Sequence, residues 1–200
     1  MKATNQKAIR QLTGTAVLAA LIVILQLVAS GIKIGPFTIT LSLVPLILGA
    51  CLFGPASGAA LGAVFGGMVC ISVVTGADPG GHLMFLQLPV LTLVLCMLKS
   101  TVAGLLAGIL PRVIKNRDLS AIAAAIACPV CNTGILCIGI LAFYNDLVTT
   151  WAIAEGFSNA IGYVILGMVG VNFLVELAIN ILFAPAIHRV ILAVGKRIRH

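Results

Sequence analysis

Long apolar runs separated by short polar punctuation set the pattern of this chain. A helix needs about 20 residues to cross the hydrocarbon of a bilayer. On that scale six stretches read as crossings, roughly 12–30, 39–53, 56–74, 83–110, 119–144 and 161–184. The second is short, but Pro36 and the pair Gly54-Pro55 frame it, so a helix bounded by turns fits better than a strand. The third is so rich in Gly and Ala that packing against neighbours has to hold it. The longest connection, about sixteen residues, leaves no room for a soluble domain. The pattern therefore predicts an all-α integral membrane protein, one membrane domain over residues 1–200 with six transmembrane helices. The first run lacks an A-x-A cleavage pattern, so it is expected to be retained.

Composition agrees. Charged residues make up 8% of the chain and apolar residues 61%, with mean hydropathy +1.22; a soluble domain carries about 25% charge. The few charges also suggest an orientation, because Lys and Arg near helix ends stay on the cytoplasmic side. Six crossings put both termini on one side, together with the loop between the fourth and fifth. Lys2, Lys7, Arg10, Arg112, Lys115, Arg117, Arg189, Lys196, Arg197 and Arg199 all fall there, and Lys33 is the exception. Asp78, Asp146 and Glu155 fall in the outer loops. The net charge of +7 thus reads as topology plus attraction to anionic membrane lipid, with no nucleic-acid partner expected.

The segment IACPVCNTG, Ile126 to Gly134, contains a CxxC that would suggest redox or zinc chemistry in a soluble protein. Here Cys51, Cys70, Cys96, Cys128, Cys131 and Cys137 all lie in apolar segments, where a thiolate is strongly disfavoured and a free Cys behaves as a small hydrophobe. No His lies deep in a span to complete a metal site or to act as base for a Ser nucleophile. HExxH and a P-loop are absent too. The chain is therefore read as a non-enzyme without cofactor or metal, and binding, transport or a structural role remains.

Ionisable groups inside a span cost about 2.5–3.5 kcal/mol each on insertion scales, so each is a candidate site by default. Lys99 falls near the middle of the fourth span and Glu176 near the middle of the sixth. Asn172, Glu176 and Asn180 are spaced four apart and share one helix face. Asn132 and Thr133 lie midway along the fifth. Two readings stand side by side: a buried Lys99–Glu176 ion pair with Asn neighbours that simply joins helices, or a solute site among these groups with Gln87 above it. Small residues carry a second message, in GxxxGxxxG at Gly58, Gly62 and Gly66 and AxxxA at Ala16 and Ala20. Each strip permits close helix approach, either within the bundle or with a membrane-embedded partner. No internal duplication of the inverted-repeat type is visible.

The run GPFTITLSLVPLILGACLFGPASGAALGAVFGG, followed by CPVCNTGILCIG, resembles the S components of energy-coupling factor (ECF) transporters, the substrate-binding subunits of bacterial vitamin uptake systems. The resemblance covers essentially the whole chain, including the P-x-x-x-G-x-x-x-x-G-P turn from Pro45 to Pro55. It implies a subunit of the bacterial cell membrane that captures a vitamin outside, tips within the bilayer, and draws its energy from a transmembrane coupling protein and two ATPase subunits. Ala16 and Ala20 would meet the coupling protein. The loops around Lys33 to Thr38 and Gly76 to Gln87 would act as lids, with Gly76, Gly80 and Gly81 supplying flexibility. In similar sequences the recurring part is Pro129, Asn132, Thr133 and Gly134, which makes Cys128 and Cys131 filler. The substrate-binding set is then Gln87, Lys99, Asn132, Thr133, Asn172 and Glu176. Lys99 suits a carboxylate, which favours pantothenate; riboflavin ranks second, with Tyr144, Trp151, Phe157 and Tyr163 as its platform. The rival classes are a membrane scaffold without ligand and a stand-alone channel or carrier.

Overall fold

The computed structural model describes residues 2–29, 33–34, 37–38, 41–168, 173–185 and 189. Four helices are long and apolar enough to cross a membrane: α1 (Lys2–Ala29), α3 (Pro55–Thr75), α5 (Pro89–Val113) and α6 (Arg117–Phe143). Two shorter apolar helices join them, α2 (Leu43–Phe53) and a C-terminal one, Phe173–Pro185. Between Phe143 and that last helix lie α7 (Asn145–Ala154) and α8 (Ala160–Gly162), the latter continuing as a π-helical turn over Tyr163–Met168. Phe173–Pro185 is α9. The fold class expected from the pattern is correct, and the structure redraws three of the six crossings.

The first redrawn crossing is α2. Its 11 residues span about 16 Å, half the hydrocarbon thickness. None of them is exposed, because α2 is wedged among α1, α3, α5 and α6. It is a core helix, and its continuous hydrophobicity reflects burial on all sides. The second is the stretch 83–110, which breaks at Leu88 into α4 (Pro79–Gln87) and α5. Pro89 has no N–H to continue the ladder, and Leu88 takes an extended φ of −135°. The third is 161–184, where a π-helical turn replaces regular α-helix after Gly162.

Two connecting segments are also more ordered than expected. Lys33–Ile34 (β1) and Phe37–Thr38 (β2) pair antiparallel, Lys33 opposite Thr38, and β2 lies against α4. The segment Gly76 to Gln87, read as a flexible lid, is mostly α4. Asp78 caps it by accepting from the Gly81 N–H at 3.2 Å, and Pro79 occupies the first turn, a standard helix start. Gly80 and Gly81 are buried, and a Cβ on Gly81 would stand 2.6 Å from Val73 Cγ2, so Gly81 serves packing. Gly76 alone is conformational, with φ +77° at the C-cap of α3.

The most extensive helix pairing joins α3 to α5, and glycine makes it possible. A Cβ on Gly58 would run into the Gly104 carbonyl, one on Gly62 into the Ser100 carbonyl, and one on Gly66 would lie 3.1 Å from the Cys96 carbonyl. From the other side, a Cβ on Gly108 would meet Pro55 Cα at 2.6 Å. The GxxxGxxxG strip is thus consumed inside the bundle, which resolves the two destinations left open for it. Pro111, inside α5, removes the donor for the Ala107 carbonyl; the Cys51 thiol approaches that oxygen at 4.0 Å. Cys128 is fully buried in the same core as Ile22, Leu46, Leu61 and Phe65, in keeping with its reading as filler.

Gly62→Leu is expected to destabilise the bundle by about 1–3 kcal/mol or more, because backbone on α5 has to move. Thermal unfolding in detergent, with Gly67→Ala as a control at a position open to 4 Å, checks this. Equal melting of the two variants would remove the α3–α5 contact from its central place.

Candidate substrate site

Lys99, Asn132, Glu176 and Asn180 turn toward the inside of the bundle, with exposures of 8%, 3%, 7% and 0%. Each is there because of its neighbours on the helix. On α5, Lys99 continues the buried face of Cys96, Ser100 and Ala103, the face pressed against α3. On α6, Asn132 follows Ala121, Ala124, Ala125 and Cys128. On α9, Glu176, Asn180 and Ala184 stand one turn apart on one buried face. Thr133 is half-buried beside Asn132. Asn172 lies outside the described residues.

Depth follows from helix geometry. Lys99 is about 15 Å along α5 from Pro89, and Asn132 is about 16 Å from the Phe143 end of α6, at 1.5 Å per residue. The two therefore lie at similar depth. Long side chains on a helix lean toward its N-terminus, so Lys99 leans toward the Pro89 end. Its charge lies within electrostatic reach of Cys70, Cys96 and Cys137. Glu176 reaches Cys128. Cys137 and Cys128 lie on opposite sides of Asn132 along α6, about 13 Å apart.

The bundle interior contains oxygen atoms that the protein does not satisfy. Among the described residues, the buried Asn132 Oδ1 and Asn180 Oδ1 have no hydrogen-bond partner, and Thr15 Oγ1 is a third such atom. Asn180 Nδ2 is occupied, donating to the Glu176 carbonyl at 2.7 Å. An unmet buried acceptor costs about 1–3 kcal/mol, so each of these oxygens keeps unused hydrogen-bonding capacity.

Gln87 stands apart from these groups. It is exposed at the end of α4 and, with Leu88, Tyr144, Asn145 and Asp146, lines a cavity of about 410 Å³ at the far end of the bundle. The structure does not bring it to Lys99. Tyr144 anchors that end: its ring is fully buried and its hydroxyl pairs with Thr92 Oγ1 at 2.7 Å. Trp151, Phe157 and Tyr163 pack in the same cluster, with the Phe157 and Tyr163 rings edge to face at 5.4 Å. The strip of Ala16 and Ala20 is exposed on α1, flanked by Val17, Ile24 and Leu27 and opposite the buried Ile22, Gln26 and Ala29.

Sequence reading passes over two features. Gln26 is buried and accepts from Ser42 Oγ at 3.0 Å, tying α1 to the start of α2; an amide inside an otherwise apolar run was the available signal. Thr92 is equally silent, since a Thr in a span most often bonds its own backbone, as this one also does to the Leu88 carbonyl at 2.8 Å.

Four helices of membrane-crossing length around buried polar side chains define an integral membrane protein. The chain matches the family described as ECF transporter, substrate-specific component, over residues 10–188, and it belongs to that family. No curated protein and no solved structure matches it. Membership makes it a vitamin-type substrate-binding membrane subunit that works with an ECF module of transmembrane coupling protein and ATPases, a transporter subunit in place of an enzyme, in keeping with a bacterial plasma membrane location.

Tyr144→Phe is expected to lower thermal stability in detergent by about 1 kcal/mol through loss of the Thr92 partner. An unchanged melting curve would mean that this hydroxyl pair contributes nothing to closing that end of the bundle.

Proposed function

We propose that the substrate is a vitamin with a carboxylate, pantothenate being the first candidate, held by Lys99, Asn132, Thr133, Asn172 and Glu176. The observation that carries the reading is a buried lysine at the same depth as a buried asparagine oxygen without a partner, on adjoining helices. The carboxylate pairs with Lys99, and an amide or hydroxyl of the ligand donates to Asn132 Oδ1. Gln87 acts at the entrance, in the outer cavity. Both termini lie in the cytoplasm, the entrance faces outward, and the Ala16–Ala20 face of α1 meets the coupling protein.

Riboflavin is the second reading, favoured by the aromatic cluster of Tyr144, Trp151, Phe157 and Tyr163. The burial of Tyr144 and Tyr163 within that cluster leaves few open ring faces and ranks it lower.

Native mass spectrometry with denaturing extraction, on protein expressed alone, tests both. A pantothenate mass supports the proposal; riboflavin overturns the substrate and keeps the class. An empty protein that binds no vitamin from a panel favours a scaffold, and solute flux in liposomes without ATP or partners favours a stand-alone carrier.

Asn132→Leu and Lys99→Met separate a site from structural glue. A binding role predicts lost vitamin retention with ligand-free stability preserved, raised by about 1 kcal/mol for Asn132→Leu since an unmet acceptor is removed. Failure of both variants to accumulate in the membrane would support glue. Ala16→Trp or Ala20→Trp is expected to block assembly with the ECF module, read by co-purification, while vitamin affinity changes less than about twofold. Parallel loss of both properties would refute the assignment of α1 to coupling.

A further inference from the structure

A second cavity, of about 450 Å³, opens at the end of the bundle opposite Gln87. Its size falls within the range of about 300–1,000 Å³ usual for ligand clefts. Arg10 of α1 and Arg112 of α5 line it, together with Gln11, Phe53, Gly54 and Ala56.

The local backbone adds to this positive field. Gly54, between α2 and α3, has φ +92° and ψ −175°, a conformation restricted essentially to glycine. It supplies no side-chain cap to α3, and Pro55 follows it, so the first-turn N–H groups of a 21-residue helix end at the cavity wall without an Asp or Ser to meet them. The missing side chain also makes room for Arg112, whose Nη2 would be 3.0 Å from a Cβ at position 54. A guanidinium is therefore held across a helix N-terminus, like sign against like sign. Gln11 fixes the third wall, with Nε2 donating to the Phe53 carbonyl at 3.2 Å and to Ser57 Oγ at 3.0 Å.

Depth selects the ligand. The apolar part of α1 begins at Ala8 and that of α5 ends at Val113, so Arg10 and Arg112 stand at the margin of the hydrocarbon, level with lipid headgroups. A cationic recess between helices at that level matches the phosphate of an anionic phospholipid, whose acyl chains continue along the exposed apolar flank of α1 at Leu12 and Val17. We propose that this cavity is a binding site for the headgroup of an anionic phospholipid, clasped between Arg10 and Arg112 over Gly54. A lipid seated there joins α1, which carries the Ala16–Ala20 face, to the α3–α5 pair.

The protein in mild detergent is exposed to equal amounts of phosphatidylglycerol and phosphatidylcholine, and retained lipid is read by native mass spectrometry. The expected result is a predominant one-to-one adduct with phosphatidylglycerol. Arg112→Gln is expected to weaken it about fivefold or more, the scale of one cation at a lipid surface. Lys115→Gln, exposed and outside the cavity, should leave it unchanged. Arg10→Gln, on a different helix, provides a second reading if the first variant does not fold. Equal retention of the two lipids, or equal loss on Lys115→Gln and Arg112→Gln, would overturn the site in favour of diffuse attraction. Complete displacement of the lipid by millimolar inorganic phosphate would identify a free anion as the occupant and overturn the lipid assignment.

Discussion

Backbone-to-backbone approach of α3 and α5 is the contact on which the other placements depend. Between helices in lipid the hydrophobic effect gives little, since the surrounding acyl chains are as apolar as Leu, so close packing has to provide the attraction. Gly58, Gly62 and Gly66 on one helix and Gly104 and Gly108 on the other remove every Cβ that would hold the axes apart. The Ser100 carbonyl then rests on Gly62, one residue from Lys99, which fixes the rotation of α5 and so turns Lys99 inward. The short α2, wedged beside this pair, completes a core that gives α6 a surface to lie on.

Polar groups in this interior fall into two kinds. The Gln26–Ser42 and Thr92–Tyr144 pairs are closed among themselves and join helices. Asn132 and Asn180 each hold an oxygen without a partner among the described residues. Structural glue is expected to satisfy its own atoms, since an unmet group in a low-dielectric interior destabilises the fold it is meant to join. The closed pairs therefore account for joining helices, and the open oxygens do not.

Much of the architecture was legible because it rests on local signals. Apolar length identified α1, α3, α5 and α6, and an i, i+4 spacing put Glu176 and Asn180 on the interior face. What escaped the sequence depends on packing between distant segments. The run from Leu43 to Phe53 is as apolar as a crossing, and only the four helices around it show that it is core. Likewise, glycines at 80 and 81 look mobile until Val73 is seen against one of them. Apolar continuity also hid the break at Leu88, although Pro89 was in plain view. The depth of Lys99 and Asn132 was readable from their positions within spans; the placement of Gln87 in a separate cavity needed three dimensions.

The junction at Leu88 has a mechanical meaning. Its N–H bonds back to the Met84 carbonyl and so belongs to α4. Its carbonyl accepts from the Thr92 N–H and the Thr92 hydroxyl and so belongs to α5. Only the two torsions on either side of its Cα lie between these rigid bodies, and Pro89 contributes no N–H that would bond across the junction. The break therefore sets the angle between α4 and α5 without costing either helix its ladder, and the buried Gly80, Gly81 and Met84 keep α4 at that angle against α3.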